Sequence, residues 1–231
     1  MLLAALAAAC TPAAPEGETA ANAVRAAGAN DSASPAVQAP VADEKLVVAF
    51  GDSLFAGYGL ERGRGFVPVL ERQLAAQGIR ASVFDAAVSG DTTQAGRQRL
   101  AFMLEGLARK PDLVIVGLGG NDMLRGVAPE ETRANLDAIL TELRTRGIPA
   151  MLTGMIAAPN LGPDYARAFN AIYPELAEKF GIPLYPFILE GAVGQSGMML
   201  EDGIHPNDRG VETIVGRVAP TVSRALGTPP A

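Results

Sequence analysis

The chain has 231 residues, 48% hydrophobic and 19% charged, which is enough for one sizeable core and places it among soluble globular proteins. Formal charge is −6, but residues 1–44 carry −4 of it, with Glu16, Glu18, Asp31, Asp43 and Glu44 against Arg25; the remainder, at −2, lacks the electrostatic footprint of a nucleic-acid binder. One Cys and one His exclude an intramolecular disulfide and a Cys/His zinc site, and no apolar run reaches the roughly 18 residues of a membrane-spanning helix.

Residues 1–10, MLLAALAAAC, are a short apolar run ending in small residues and then Cys10, as in a bacterial lipoprotein signal. This implies export to the periplasm or outer envelope, with Cys10 as a lipidation site and possible membrane tether. No Lys or Arg precedes the run, and Leu6 stands four residues before the cysteine rather than three, so an incidental thiol on a tail is the competing reading. Residues 11–44 are Ala, Pro, Ser, Thr, Gly and acid, with too little apolar surface to offset ordering entropy, and read as a flexible tether. The folded domain is expected over residues 45–231.

From Lys45 the pattern becomes short β-rich runs separated by amphipathic stretches. Strands are predicted at Leu46–Phe50, Ala81–Ala86, Leu113–Leu118, Pro149–Ile156 and Ile182–Ile188. Helices are predicted at Phe66–Gln77, Thr93–Arg109, Glu130–Arg146, Tyr165–Phe180 and Val211–Leu226, with Pro174 and Pro220 expected to kink or divide two of them. This alternation is the α/β class, a parallel sheet covered by helices on both faces, in which ligands gather outside the carboxyl ends of the strands.

Three segments lie at such positions, and a fourth stands before the last helix. The first strand runs into Gly51-Asp52-Ser53-Leu54, which by itself is also an ordinary turn. The second leads to Ser89-Gly90-Asp91, where Gly90 is either a turn residue or an unobstructed backbone N–H donor. The third ends in Gly119-Gly120-Asn121-Asp122, a glycine-rich turn whose asparagine amide could donate to an oxyanion. Before the last helix stands Asp202-Gly203-Ile204-His205-Pro206, with the only histidine. A serine hydroxyl needs a base to take its proton, and if any serine here uses an imidazole oriented by a carboxylate, the base must be His205.

In this order, over about Lys45 to Leu226, the four segments resemble the blocks of the GDSL, or SGNH, hydrolases. The resemblance implies a three-layer α/β/α flavodoxin-like fold with a five-stranded parallel sheet of order 2-1-3-4-5. It also implies Ser53 as nucleophile, His205 as base and Asp202 as its orienting carboxylate, with the Ser53 and Gly90 N–H groups and the Asn121 side chain as oxyanion donors. Gly51–Tyr58, Gly119–Gly126, Ala158–Gly162 and Ile172–Leu176 are similar to the exported acyl-CoA thioesterase, lysophospholipase and arylesterase group, although a lipobox-like cysteine and long tether are not that group's usual form.

There is no G-x-S-x-G elbow, Arg62 replaces the third glycine of a dinucleotide fingerprint, and no Walker A sequence occurs. The expected protein is therefore a serine hydrolase of short- to medium-chain esters and thioesters that uses no metal or cofactor. Ile156, Ala158, Pro159 and Leu161, after the fourth strand, are expected to contact the acyl or aryl group or, alternatively, to pack over the sheet edge. The competing functions are an acyltransferase or carbohydrate O-deacetylase on the same site, and a non-catalytic envelope binding module.

Overall fold

The computed structural model describes residues 44–227. Cys10 and the segment before Glu44 lie outside the described residues. Glu44, assigned from composition to the tether, belongs to the fold: its carbonyl accepts a hydrogen bond from Arg109 Nη2 at 2.5 Å.

Five parallel strands, β1 (Lys45–Gly51), β2 (Ala81–Asp85), β3 (Leu113–Gly117), β4 (Ala150–Thr153) and β5 (Leu184–Tyr185), form one sheet of order β2-β1-β3-β4-β5, as the resemblance implied. Val47–Phe50, Leu113–Val116 and Ala150–Thr153 are buried without alternation, because inner strands of a parallel sheet are covered on both faces. At the edge, β2 buries only Val83.

Right-handed crossovers decide the layers. The β1-to-β2 connection, through α2 (Phe66–Ala76), runs in one direction across the sheet. Those through α3 (Thr93–Glu105), α5 (Pro129–Thr145) and α7 (Ile172–Phe180) run in the other, so α2 lies on the opposite face. The last helix, α8 (Asp208–Ala225), packs on α2, while α3, α5 and α7 pack side by side. The switch in direction falls between β1 and β3, whose carboxyl ends share the register pair Gly51 and Gly117, and open α/β sheets bind ligands at such a point.

Three expectations need correction. Strands four and five are shorter than predicted, because apolarity continues past them into walls of a pocket rather than into the sheet. The helix expected over Tyr165–Phe180 with Pro174 as its break is divided, but at Ala171 rather than at Pro174, into α6 (Pro163–Asn170) and α7, with Pro174 in the first turn of α7 where its missing N–H costs no helical bond. By contrast, α8 runs through Pro220 undivided. Two short helices, α1 (Ser53–Ala56) and α4 (Gly120–Leu124), are too short for apolar periodicity to reveal. Among the described residues, no helix is long and apolar enough to cross a membrane.

Candidate active site

Local chemistry places Ser53 and Asn121 just beyond the carboxyl ends of strands, and Asp202 and His205 on the loop before α8. Asp52 caps α1, its Oδ1 accepting from the Leu54 N–H at 3.1 Å, and this sets Ser53 on the first turn directly above β1. After β3 the chain turns at Gly119, with φ 114°, and a Cβ there would lie 2.1 Å from the hydroxyl oxygen of buried Tyr173. Only glycine satisfies both the backbone and the packing, and the turn places Asn121 at the start of α4. Buried Asp122 then locks α4 in place by accepting from Thr93 N (2.8 Å), Thr93 Oγ1 (2.5 Å) and Thr132 Oγ1 (3.2 Å).

His205 sits on a hairpin-like loop. The Leu200 N–H donates to the His205 carbonyl at 2.8 Å, Met199 and Pro206 form an antiparallel bridge, and Asn207 caps α8 by accepting from Gly210 N at 3.1 Å. At the loop's tip Asp202 Oδ1 accepts from the backbone N–H groups of Ile204 (2.9 Å) and His205 (3.0 Å). Its other oxygen, Oδ2, lies 2.6 Å from His205 Nδ1. These bonds, the imidazole first among them, pull the Asp202 carboxyl down to a pKa of about 2. With Nδ1–H donating to that carboxylate, Nε2 is left as an acceptor for the Ser53 hydroxyl, 2.8 Å away. Ser53, His205 and Asp202 thus form one continuous line. The Tyr58 ring lies against the imidazole, centroids 4.5 Å apart at 36°.

Asn121 Nδ2 donates to the Asp91 carbonyl at 3.0 Å and to Asp52 Oδ2 at 3.3 Å. Gly90, with φ +88°, is held from the other side by Arg125, whose Nη2 donates to its carbonyl at 2.8 Å. Ser53, Gly90 and Asn121 line the same pocket.

Sequence reading missed Arg99. Its guanidinium donates to Asp91 Oδ2 (2.5 Å), the Ala86 carbonyl (2.7 Å) and the Gly51 carbonyl (3.1 Å) and stacks over Phe50 at 4.2 Å, clamping the Gly90 loop to the ends of β1 and β2. A lone arginine in an amphipathic helix carries no sequence signal for this role. Replacing Arg99 by alanine is expected to cost about 2–3 kcal/mol, the scale of a hydrogen bond to a charged group, and to lower kcat by loosening that loop. Urea denaturation checks the first effect, and an unchanged midpoint with full activity would contradict the clamp.

The line opens into a pocket of about 690 Å³. Ile156, Ala158 and Pro159 line it. Leu161 does not: it is partly buried and packs against the core, because the 3₁₀ turn Pro159–Leu161 carries the chain away into α6. Phe187, inside the strand expected over Ile182–Ile188, and Leu189 and Val193 beyond it also line the pocket. The segment after β4 is pinned, with Ala157 N donating to Asn170 Oδ1 at 2.8 Å and Ala158 N to Met123 Sδ at 3.2 Å.

A doubly covered parallel sheet with a Ser–His–Asp line at its topological switch point is the arrangement of an α/β serine hydrolase. Residues 49–212 match the GDSL-like lipase/acylhydrolase family, and the chain belongs to that family. It is 40% identical over 189 residues to esterase TesA of Pseudomonas aeruginosa, covering 82% of this chain and 92% of the relative. Against thioesterase 1/protease 1/lysophospholipase L1 of Escherichia coli K12 the identity is 38% over 170 residues, 74% of this chain and 78% of the relative. Among solved structures, the SGNH-hydrolase family esterase AlinE4 is similar with a TM-score of 0.69 and 49% identity, over 81% of this chain and 99% of that one.

Proposed function

We propose that this protein hydrolyses carboxylic esters and thioesters through an acyl-enzyme on Ser53. The observation that carries this reading is the Ser53–His205–Asp202 line opening into an apolar pocket. Names of relatives, esterase TesA and thioesterase 1, support the reaction class.

In the proposed cycle Ser53 Oγ attacks the acyl carbonyl carbon while His205 Nε2 takes the hydroxyl proton. The resulting imidazolium is stabilised by Asp202, whose depressed pKa keeps it ionised. Negative charge on the former carbonyl oxygen is met by the Ser53 and Gly90 N–H groups and the Asn121 amide. His205 returns the proton to the departing alcohol or thiol, and water, activated by the same imidazole, releases the acid.

The pocket's aliphatic and aromatic walls suit an acyl or aryl group better than a sugar, which favours ester and thioester cleavage over carbohydrate deacetylation. Each methylene buried between Ile156 and Leu189 is expected to raise kcat/KM about fourfold, from about 0.8 kcal/mol per CH₂, until the pocket ends. A series of p-nitrophenyl esters and acyl-CoAs should therefore rise through short and medium chains and then level off or fall. A flat profile, or preference for emulsified triacylglycerol over soluble esters, would contradict it. An alkyl phosphonate should leave its adduct on the peptide carrying Ser53, and an adduct elsewhere, or none, would point to the binding-module alternative.

A further inference from the structure

The mechanism above does not use Asp52, a buried ionisable group next to Ser53. Asp52 is only 3% exposed, yet its carboxylate makes two contacts of different kinds. Oδ1 caps α1 through the Leu54 N–H, while Oδ2, 3.3 Å from Asn121 Nδ2, faces the proposed oxyanion donor.

An asparagine amide has two ends of nearly equal shape and opposite polarity, so only its neighbours decide which end faces a site. The two neighbours here, Asp52 Oδ2 and the Asp91 carbonyl, are both acceptors. Turned over, the amide would set its own oxygen against both. The nitrogen is thereby held between residues 52 and 91, each one position from the other proposed donors, Ser53 and Gly90. Both amide hydrogens are engaged at rest, so an oxyanion must share one of them. The bond to Asp52 is the longer, and is the one best placed to be shared.

We propose that Asp52 is a positioning residue for the oxyanion hole, its carboxylate fixing the Asn121 amide with the NH₂ end available to the substrate's developing charge. This rests on the proposed role of Asn121. Burial supports it: desolvation raises the Asp52 pKa to about 6, against the opposing pull of the Leu54 N–H, His205 and Asn121. A capping residue alone has no use for that penalty, since serine, threonine or asparagine would cap α1 without burying a charge.

The test is a double-substitution cycle on soluble ester substrate with Asp52→Ala, Asn121→Ala and both together, accompanied by circular dichroism and thermal unfolding. Asn121→Ala should lower kcat roughly 10²–10³-fold, as removal of one oxyanion donor does elsewhere. Asp52→Ala should lower kcat at least tenfold with KM within twofold, and the double variant should be no slower than Asn121→Ala alone. A cap-only role would lower kcat by the same factor in either background, so additive losses overturn the proposal. Should Asp52→Ala unfold, Asp52→Asn carries the same cycle. Asparagine can satisfy only one of the two facing donors, and loss of kcat with the melting temperature retained supports the proposal, whereas loss of the cap with kcat retained overturns it. If Asn121→Ala leaves kcat unchanged, the oxyanion reading falls and this inference with it; if Asn121→Ala is slow but the cycle is additive, only this inference falls.

Discussion

Replacing Ser53 by alanine is expected to lower kcat by roughly 10⁶-fold while leaving the fold intact, the largest effect any single substitution here should produce. The hydroxyl donates to His205 Nε2 at 2.8 Å, and its loss removes the nucleophile and almost no packing. The same dependence predicts strong non-additivity. Ser53→Ala, His205→Ala and the double variant should all be about equally slow, because no second imidazole exists in the chain and neither group can act without the other. Steady-state rates on a p-nitrophenyl ester, with melting temperature as the control for folding, decide it. Turnover by Ser53→Ala within tenfold of the parent would remove serine catalysis from consideration.

The second large effect concerns Asp202, a carboxylate that contacts the imidazole and is not among the residues lining the pocket. In Asp202→Asn the backbone N–H groups of Ile204 and His205 will still select an oxygen at the Oδ1 position, leaving the new NH₂ group facing His205 Nδ1. Two donors cannot share that contact, so Nδ1 must become the acceptor and the ring proton moves to Nε2. A protonated Nε2 cannot accept from Ser53. The expected loss is roughly 10⁴-fold in kcat with little change in KM, the scale seen when the orienting carboxylate of another triad is made an amide.

The pH dependence follows from the same geometry. Asp202, with its folded pKa lowered to about 2, binds fewer protons in the folded than in the unfolded state between that value and the ordinary carboxylate range. Its contribution to stability is therefore fully present above the unfolded value and is lost only as pH falls toward 2. Any decline in activity between neutrality and pH 4 should accordingly be assigned to protonation of other groups. A rate profile for Asp202→Asn that matches the parent in both height and shape would refute the orienting role.

The continuous apolar runs of β1 and β3 were legible because residues buried on both faces leave no polar interruption, and their ends could be read from the glycines that follow. Chain order β-α-β throughout then implies a parallel sheet. The ends of β4 and β5 were not legible, since Met155, Ile156, Phe187 and Leu189 are as apolar as strand residues but line the pocket. Hydrophobicity records that a residue avoids water, not whether a sheet or a substrate covers it. Leu161 shows the converse, an apolar residue beside the site that turns into the core.

The sequence by itself determined which groups are proposed to react. A single histidine, three residues from an aspartate, and a serine three residues beyond the predicted end of the first strand left little choice of proposed base, orienting acid and nucleophile once their order matched four blocks of one family. Only the tertiary structure decided what those groups touch. Ser53 and His205 are 152 positions apart, Asp52 and Asn121 are 69, and Arg99 reaches back 48 to the Gly51 carbonyl. Turn chemistry and periodicity act over a few residues and so can be read along the chain. Contacts across such separations arise from how helices pack on a twisted sheet, and packing is a property of the whole core rather than of any local segment.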